Sequence, residues 1–393
     1  MLVLSAIAAA LWVALLLVPW RPWSTRESLA PLRPEQAARV RLTDITALIP
    51  ARDEASCIGA TLRALGGQGE LARVVLIDDQ SSDGTAAIAR DSGVAALEII
   101  AGSTPPPGWS GKLWALQQGL AQVDSDYVLL LDADIELAPG MLAALAARRD
   151  AQGLDLVSIM ATLHMGNAWE KLLLPPFIFF FKLLYPFALA NEPRSRVAAA
   201  AGGCILLRTA ALRALGGFEA LHDAIIDDCT LAGRVKRQGG RTWLGLSRGV
   251  RAIRPYATLG NIWNMVARTA FTQLHYSLAL LMLCTLMLLL SFGAPVAALT
   301  AGGASTACGL LALGALTAAY WPTVRYYDLA PIWALTLPAA AVLFLAMTWT
   351  SALRYWRGER SRWKNRSYER ATPSQSADAA RNPAATRDSI TKV

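Results

Sequence analysis

The chain has 393 residues, of which 54% are hydrophobic and only 17% charged, against about 25% charged in an average soluble domain. That balance, with a mean hydropathy of +0.36, argues against a disordered chain and an ordinary cytosolic enzyme, and fits a membrane protein with one sizeable soluble domain. The net charge of +8 suits anionic headgroups, and no basic stripe with interleaved aromatics points to nucleic acid as a partner.

Residues 2–20 carry no charge and are close to the length that spans a bilayer. No basic region precedes them and no small-residue cleavage site follows, so 1–20 reads as an N-terminal transmembrane anchor rather than a signal peptide. Arg21, Arg26, Arg33, Arg39 and Arg41 come next and place the following segment in the cytoplasm. Residues 44–255 read as soluble. Apolar runs at 45–49, 74–77, 127–131 and 156–160 predict buried strands, and 55–65, 84–92, 111–123 and 139–149 predict helices. Such alternation predicts an α/β fold with a mostly parallel sheet covered on both faces and ligands beyond the carboxyl ends of its strands.

Those ends are acidic. The first strand runs into Ala51-Arg52-Asp53-Glu54, the second into Asp78-Asp79-Gln80-Ser81-Ser82-Asp83-Gly84-Thr85, and the third into Asp132-Ala133-Asp134. Ser82 or Asp83 suffices to cap a helix. Paired carboxylates at the end of an apolar run repel one another and resist desolvation, which a divalent cation relieves. Mg²⁺ and Mn²⁺ take oxygen ligands, often one or two carboxylates plus phosphates, so the pattern points to a nucleotide or diphosphate held with a metal.

Residues 172–190 are apolar but broken by Pro175, Pro176 and Pro186. They read as an interface segment at a lipid entry surface with Lys182 snorkelling, the alternative being a plain buried helix. Residues 256–276 read as a second interface helix, and 277–353 as transmembrane helices at 277–299, about 304–321 and 330–353, the middle one weak. The tail 354–393 begins with Arg354, Arg357, Arg360, Arg362, Lys364, Arg366 and Arg370, and reads as disordered from 371. One anchor plus three spans puts those cations on the outer face, against the positive-inside rule; either the middle segment is re-entrant or the rule fails. His164, His222 and His275 show no zinc-ligand spacing, and His222 reads as a surface histidine.

The strings IPARDE, LIDDQSSDGT and LLLDADIELAPG, followed by AAGGCILLRTAALRALGGFE and DAIIDDCTLAGRVKRQGG, resemble the family 2 glycosyltransferases of GT-A fold over about residues 44–270. The membrane arrangement is most similar to the ceramide glucosyltransferase-type and hopene-associated members. The resemblance implies that Ala51, Asp53 and Glu54 pack on a donor nucleotide, Asp53 standing where many members have Asn. It implies that Asp78 and Asp79 face its base and ribose, with Lys112 near the donor or simply exposed at a helix start. Asp132 and Asp134 then form the DxD pair holding Mg²⁺ or Mn²⁺. Asp228 is the catalytic base, its pKa raised by Asp227, unless both only favour a helix N-terminus. The QxxRW motif of processive relatives is absent. Arg268, in Met265-Val266-Ala267-Arg268-Thr269, either clamps the diphosphate or sits among headgroups. The implied activity is inverting transfer from a nucleotide-sugar, a UDP-sugar by the resemblance, to a hydroxyl of a hopanoid or other lipid. A polyprenyl-phosphate sugar transferase and a non-catalytic nucleotide-sugar-binding membrane protein are the alternatives. The oligomeric state is unassigned.

Overall fold

A computed structural model describes residues 1–358 except 223 and 225, together with the backbone of Ser361–Trp363 and Arg366–Tyr368. The expected disorder of 371–393 lies outside the described residues, as do the side chains of the tail cations beyond Arg357.

Eight strands form one sheet: β1 (Ile45–Ala51), β2 (Arg73–Asp78), β3 (Leu97–Ala101), β4 (Tyr127–Leu131), β5 (Ile135–Leu137), β6 (Leu156–Thr162), β7 (Cys204–Arg208) and β8 (Thr242–Ala252). Their order is β3-β2-β1-β4-β7-β6-β8-β5. The first four are mutually parallel, β7 is antiparallel to both neighbours, β8 is parallel to β6, and β5 is antiparallel to β8. Every residue of β1 is buried, as expected of a strand covered on both faces. The α/β class and its mostly parallel sheet are thus as predicted.

Four strands escaped the sequence reading for physical reasons. β3 is only half-buried, so it lacks a fully apolar run. β5 has three residues. β7 runs directly into the helix Thr209–Ala214, which masks its period. β8 is interrupted by Gly245, Ser247, Arg248 and Gly249. Of the predicted helices, 111–123 is Gly111–Leu120 and 139–149 is Met141–Gln152.

The N-terminal linker is sewn to this sheet. Leu29 N–H donates to the Leu246 carbonyl (2.9 Å) and Leu246 N–H to the Glu27 carbonyl (2.8 Å), extending the sheet beside β8 where the short β5 leaves it open. Leu32 N–H donates to the Gly140 carbonyl at 3.1 Å. Gly140 has φ 78°, and a Cβ there would collide with the Leu32 carbonyl oxygen, so only glycine serves.

Among the described residues, three apolar helices are long enough to cross a membrane: Leu278–Ala298, Gly303–Tyr326 and Pro331–Trp356, of 21, 24 and 26 residues. The middle one, weak in sequence, is continuous. The shorter helix Leu2–Leu17 packs Ala8, Ala9 and Trp12 against Ala312, Ala315, Ala319 and Tyr320, small residues that let backbones approach.

The structure corrects the reading of 172–190. The helix Ala168–Leu184 buries Leu173, Leu174, Ile178 and Phe179 between the eight-stranded sheet and the apolar helices. Lys182 does not snorkel: it is 1% exposed, and its Nζ donates to the carbonyls of Trp23 (3.3 Å) and Ser24 (3.2 Å) and to Thr323 Oγ1 (3.0 Å). A lysine whose three protons all find oxygens has no need to reach for water. The stretch expected to form a second interface helix contains the helix Leu259–Gln273, capped by Thr258.

Candidate active site

β2, β1 and β4 are neighbours and parallel, so the loops that follow them converge on one sheet edge. β4 ends in a turn fastened to the start of β7, where Asp132 N–H donates to the Gly203 carbonyl at 3.0 Å. Ser110 caps the helix Gly111–Leu120 and so aims its second residue, Lys112, at that turn. Lys112 Nζ stands 2.6 Å from Asp132 Oδ1. Across from it the helix Asp227–Arg237 opens with Asp227 and Asp228, and Asp228 Oδ1 accepts the Cys229 N–H at 2.7 Å. Pro50, Lys112, Asp132, Gly202, Asp227 and Asp228 line one pocket, floored by Leu113, Leu116, Ile205 and Phe218. Gly202 keeps the pocket roomy: a Cβ there would crowd Asp228 Oδ2 at 3.3 Å and come into ordinary contact with Lys112 Nζ at 3.6 Å.

Charge in this pocket is unevenly matched. Burial, and then the neighbouring Asp227, push the Asp228 carboxyl up to about 6, while the Cys229 N–H, Lys112 and the Gly202 N–H oppose the rise. Burial therefore outranks Asp227, which the sequence reading had singled out. Burial also works against the Lys112 ammonium, but Asp132, Asp227 and Asp228 outweigh it and hold its pKa above the usual lysine range.

Asp134 faces elsewhere. Arg254 Nε donates to Asp134 Oδ2 at 3.0 Å, and its terminal nitrogen pairs with Glu54 Oε2. Burial lowers the Arg254 pKa. Arg268 does not enter the Asp228 pocket. It is exposed on the helix Leu259–Gln273, near enough to Tyr256 for its charge to act on the phenol.

The loops after β1 and β2 interlock into a rim. Asp53, with φ 50°, accepts the Ser82 N–H at 2.9 Å, and its own N–H donates to Ser81 Oγ at 3.0 Å. Asp78 Oδ1 accepts the Ser81 N–H at 3.2 Å and stays partly open to solvent. Asp79 is 1% exposed, its N–H bound to the Ala51 carbonyl (2.8 Å) and its carboxylate 3.6 Å from Arg52 Nη1. Asp83 is not the helix cap, which is Gly84; it ties the two loops together, accepting the Thr85 N–H (3.1 Å) and the Ala55 N–H (3.0 Å).

The expected residues thus form three adjoining groups: Asp132, Lys112 and Asp228; Asp134 and Glu54; and Ala51, Asp53, Asp78 and Asp79. Sequence reading missed Arg254, Arg52 and Gly202. The Gly202-Gly203 doublet before an apolar run was a signal of close backbone approach. Arg254 carried little signal beyond its place just after a strand. Among the described residues, no cluster of three or more His, Cys, Asp or Glu side chains could hold a metal unaided. Asp132 and Asp134 supply hard oxygen donors, and Mg²⁺-type sites commonly take only one or two carboxylates beside substrate phosphates; a cation there would take over the charge balance that Lys112 and Arg254 now provide.

Residues 46–216 match the family model described as Glycosyl transferase family 2. A 93-residue stretch is 33% identical to a 4,4'-diaponeurosporenoate glycosyltransferase of Staphylococcus haemolyticus (strain JCSC1435), covering 24% of each chain. The enzyme of the same name from Staphylococcus aureus (strain MRSA252) is 31% identical over 91 residues, covering 23% of this chain and 24% of its own. The chain therefore aligns with about a quarter of these relatives' length. The fold is similar to that of the mannosyltransferase PcManGT from Pyrobaculum calidifontis, solved with GDP-Man and Mn²⁺, with a TM-score of 0.57 and 20% identity over 91% of this chain and 100% of that one. Residues 46–216 are thus similar to family 2 glycosyltransferases, on the GT-A fold, and among the described residues three apolar helices of membrane-crossing length follow.

Proposed function

We propose that this protein is an inverting membrane glycosyltransferase that moves a sugar from a nucleotide-sugar to a lipid hydroxyl. The observation that carries the reading is Asp228: a partly buried carboxylate beside Lys112 and Asp132, in a pocket at the ends of the central parallel strands. In the reaction, the acceptor hydroxyl loses its proton to Asp228 as its oxygen bonds to the anomeric carbon, and the nucleotide diphosphate leaves from the opposite face. A carboxyl near 6 is ionised at neutral pH yet basic enough to share that proton. Lys112 balances charge around Asp132, while Arg254 holds Asp134. Asp132 and Asp134 are the residues that would hold Mg²⁺ or Mn²⁺, which when bound supplies charge neutralisation at the diphosphate.

The donor rim of Ala51, Asp53, Glu54, Asp78 and Asp79 is assigned to the nucleotide. Asp78, the more open of its pair, accepts from the base or ribose. A UDP-sugar is the donor we assign, and a GDP-sugar, as in the archaeal mannosyltransferase structure, is the competitor. The lipid class is supported by the staphylococcal relatives, named for a diaponeurosporenoate acceptor, and by the apolar helices beside the site. The hopanoid assignment rests on the sequence resemblance alone. Lipid extracts of cells with and without the gene, compared by mass spectrometry, test the reading: a sugar increment on one lipid is expected, and identical profiles would refute it.

The catalytic domain is assigned to the cytoplasmic face, and we place the chain after the last apolar helix on that same face. Before this helix, Arg248 of β8 donates to the Tyr326 carbonyl (2.6 Å) and Asp328 Oδ1 (3.0 Å); after it, Arg354 donates to Asn264 Oδ1 (2.8 Å) on the helix that follows β8. Both flanks are tied to β8 or to the helix after it, and the last helix packs along Leu259–Gln273, which supports a helix lying along the membrane face rather than crossing it. The basic tail then obeys the positive-inside rule. A C-terminal reporter active only outside the cytoplasm should stay silent; activity there would reverse the assignment.

A further inference from the structure

Glu170 is fully buried at the first turn of the helix Ala168–Leu184, far along the chain from any of the acidic motifs. Half of its bonding is an ordinary capping box. Asn167 Oδ1 accepts the Glu170 N–H at 3.0 Å, and Glu170 Oε2 accepts the N–H groups of Asn167 (3.1 Å) and Gly166 (2.7 Å). The other half is not. Glu170 Oε1 accepts the Tyr256 N–H at 2.6 Å, and Asn167 Nδ2 donates to the Tyr256 carbonyl at 3.0 Å, so residue 256 is gripped on both sides. His164 Nδ1 stands 3.1 Å from each carboxylate oxygen.

Two residues before Tyr256 is Arg254, on Asp134 and Glu54. The intervening backbone is pinned at its other end, where Ile253 N–H donates to the Asp134 carbonyl at 2.9 Å. The helix that Glu170 opens runs on into the apolar bundle, with Phe179 5.3 Å from Tyr320 and Phe180 5.1 Å from Phe344 between ring centroids. We propose that Glu170 is a positioning residue: it buckles the 253–256 segment to the membrane-side helix so that Arg254 is held against Asp134, tying donor-site geometry to the seating of the apolar bundle. This rests on Asp134 belonging to the donor site, as proposed above.

Glu170→Gln is the discriminating variant because it keeps shape and removes one acceptor. An amide has one oxygen and one NH₂. Whichever way it turns, the NH₂ meets either the Tyr256 N–H or the Gly166 and Asn167 N–H groups, donor against donor. Calorimetry with UDP and MnCl₂ on the full-length protein in detergent is expected to show about tenfold weaker binding, the loss of one charge-assisted hydrogen bond. In an Arg254→Gln background the same change is expected to cost less than about twofold, because the residue it acts through is gone. Equal costs in the two backgrounds would make Glu170 a fold element only and overturn the proposal. A second arm needs no activity. Phenylglyoxal labelling of Arg254, read by peptide mass spectrometry, is expected to run several-fold faster in Glu170→Gln than in wild type, and an unchanged rate overturns the proposal. Should wild type bind no nucleotide and transfer no sugar, the transferase reading fails, while the labelling arm still decides whether Glu170 places Arg254.

Discussion

Asp83 and Asp228 look alike in sequence, each an aspartate at or just before the start of a short helix beside the central sheet, yet the molecule treats them oppositely. Asp83 accepts two backbone N–H groups and the Thr85 hydroxyl (2.5 Å). Burial opposes its charge, but those bonds outweigh burial and lower its pKa. Asp228 has a backbone N–H at 2.7 Å too, but greater burial and a like charge next door push it up to about 6. Helix position is common to both, so it explains neither. What differs is the count of donors aimed at each carboxylate against the charge stored around it. A carboxylate over-supplied with donors holds structure together, and one under-supplied is kept ready to take a proton.

The largest effect should come from exploiting that difference directly. Asp228→Asn keeps the shape and an acceptor oxygen and loses only the capacity to take a proton, so turnover should fall by about 10²–10⁴-fold with donor affinity little changed. Asp227→Asn should be milder, and Asp83→Asn close to wild type. If Asp228→Asn retains a tenth of wild-type turnover on extracted lipid, it only holds structure, like Asp83, and the contrast collapses. Next in size is metal dependence: Asp132→Ala or Asp134→Ala, or EDTA on the wild type, should abolish metal-dependent donor binding while the fold survives. Undiminished donor binding and activity in EDTA would sink the metal role. The third tests the other side of the comparison. Asp83→Ala should cost about 1–2 kcal/mol of stability, through the lost bonds to Ala55 and Thr85, and leave the chemistry alone. Circular dichroism melts beside turnover separate the two effects.

How much of this was legible beforehand follows the same division. The strands ending in Ala51, Asp78 and Leu131 announce themselves as apolar runs, and with them the places where Asp53, Asp79 and Asp132 stand. Period and composition report burial, and burial fixes strands. They do not report which distant donors reach a side chain. Nothing local to Glu170 shows that Tyr256 lies 2.6 Å from it, or local to Asp134 that Arg254 lies 3.0 Å away, because β8 brings both from about a hundred residues downstream. Lys182 failed for a related reason. A lone lysine in an apolar run predicts snorkelling unless carbonyls from the N-terminal linker and a hydroxyl from another helix enclose it, as Trp23, Ser24 and Thr323 do.

The smallest expected effect is also the sharpest probe of the contrast. Because folding raises the Asp228 carboxyl from an ordinary 3.8 to about 6, the folded state holds that proton more tightly than the unfolded chain does. The native state is therefore favoured at low pH and loses stability as the pH rises from about 4 to about 6, with no further loss from this group above that. Asp228→Asn carries no such ionisation. Its melting temperature should match wild type near pH 4 and exceed it at pH 7.5 by a few degrees at most, since Lys112 recovers part of the cost of the buried charge. Asp83 has the opposite sign: its lowered pKa adds stability that is present above its unfolded value and disappears as the pH falls through the folded one. Asp83→Asn should therefore lose to wild type most clearly at neutral pH. Melting curves over about pH 2–8 should then diverge in separate windows, Asp228→Asn gaining on wild type between about pH 4 and 6 and Asp83→Asn recovering its deficit only below about pH 4, and coincident windows would mean that the two carboxylates sit in equivalent environments after all.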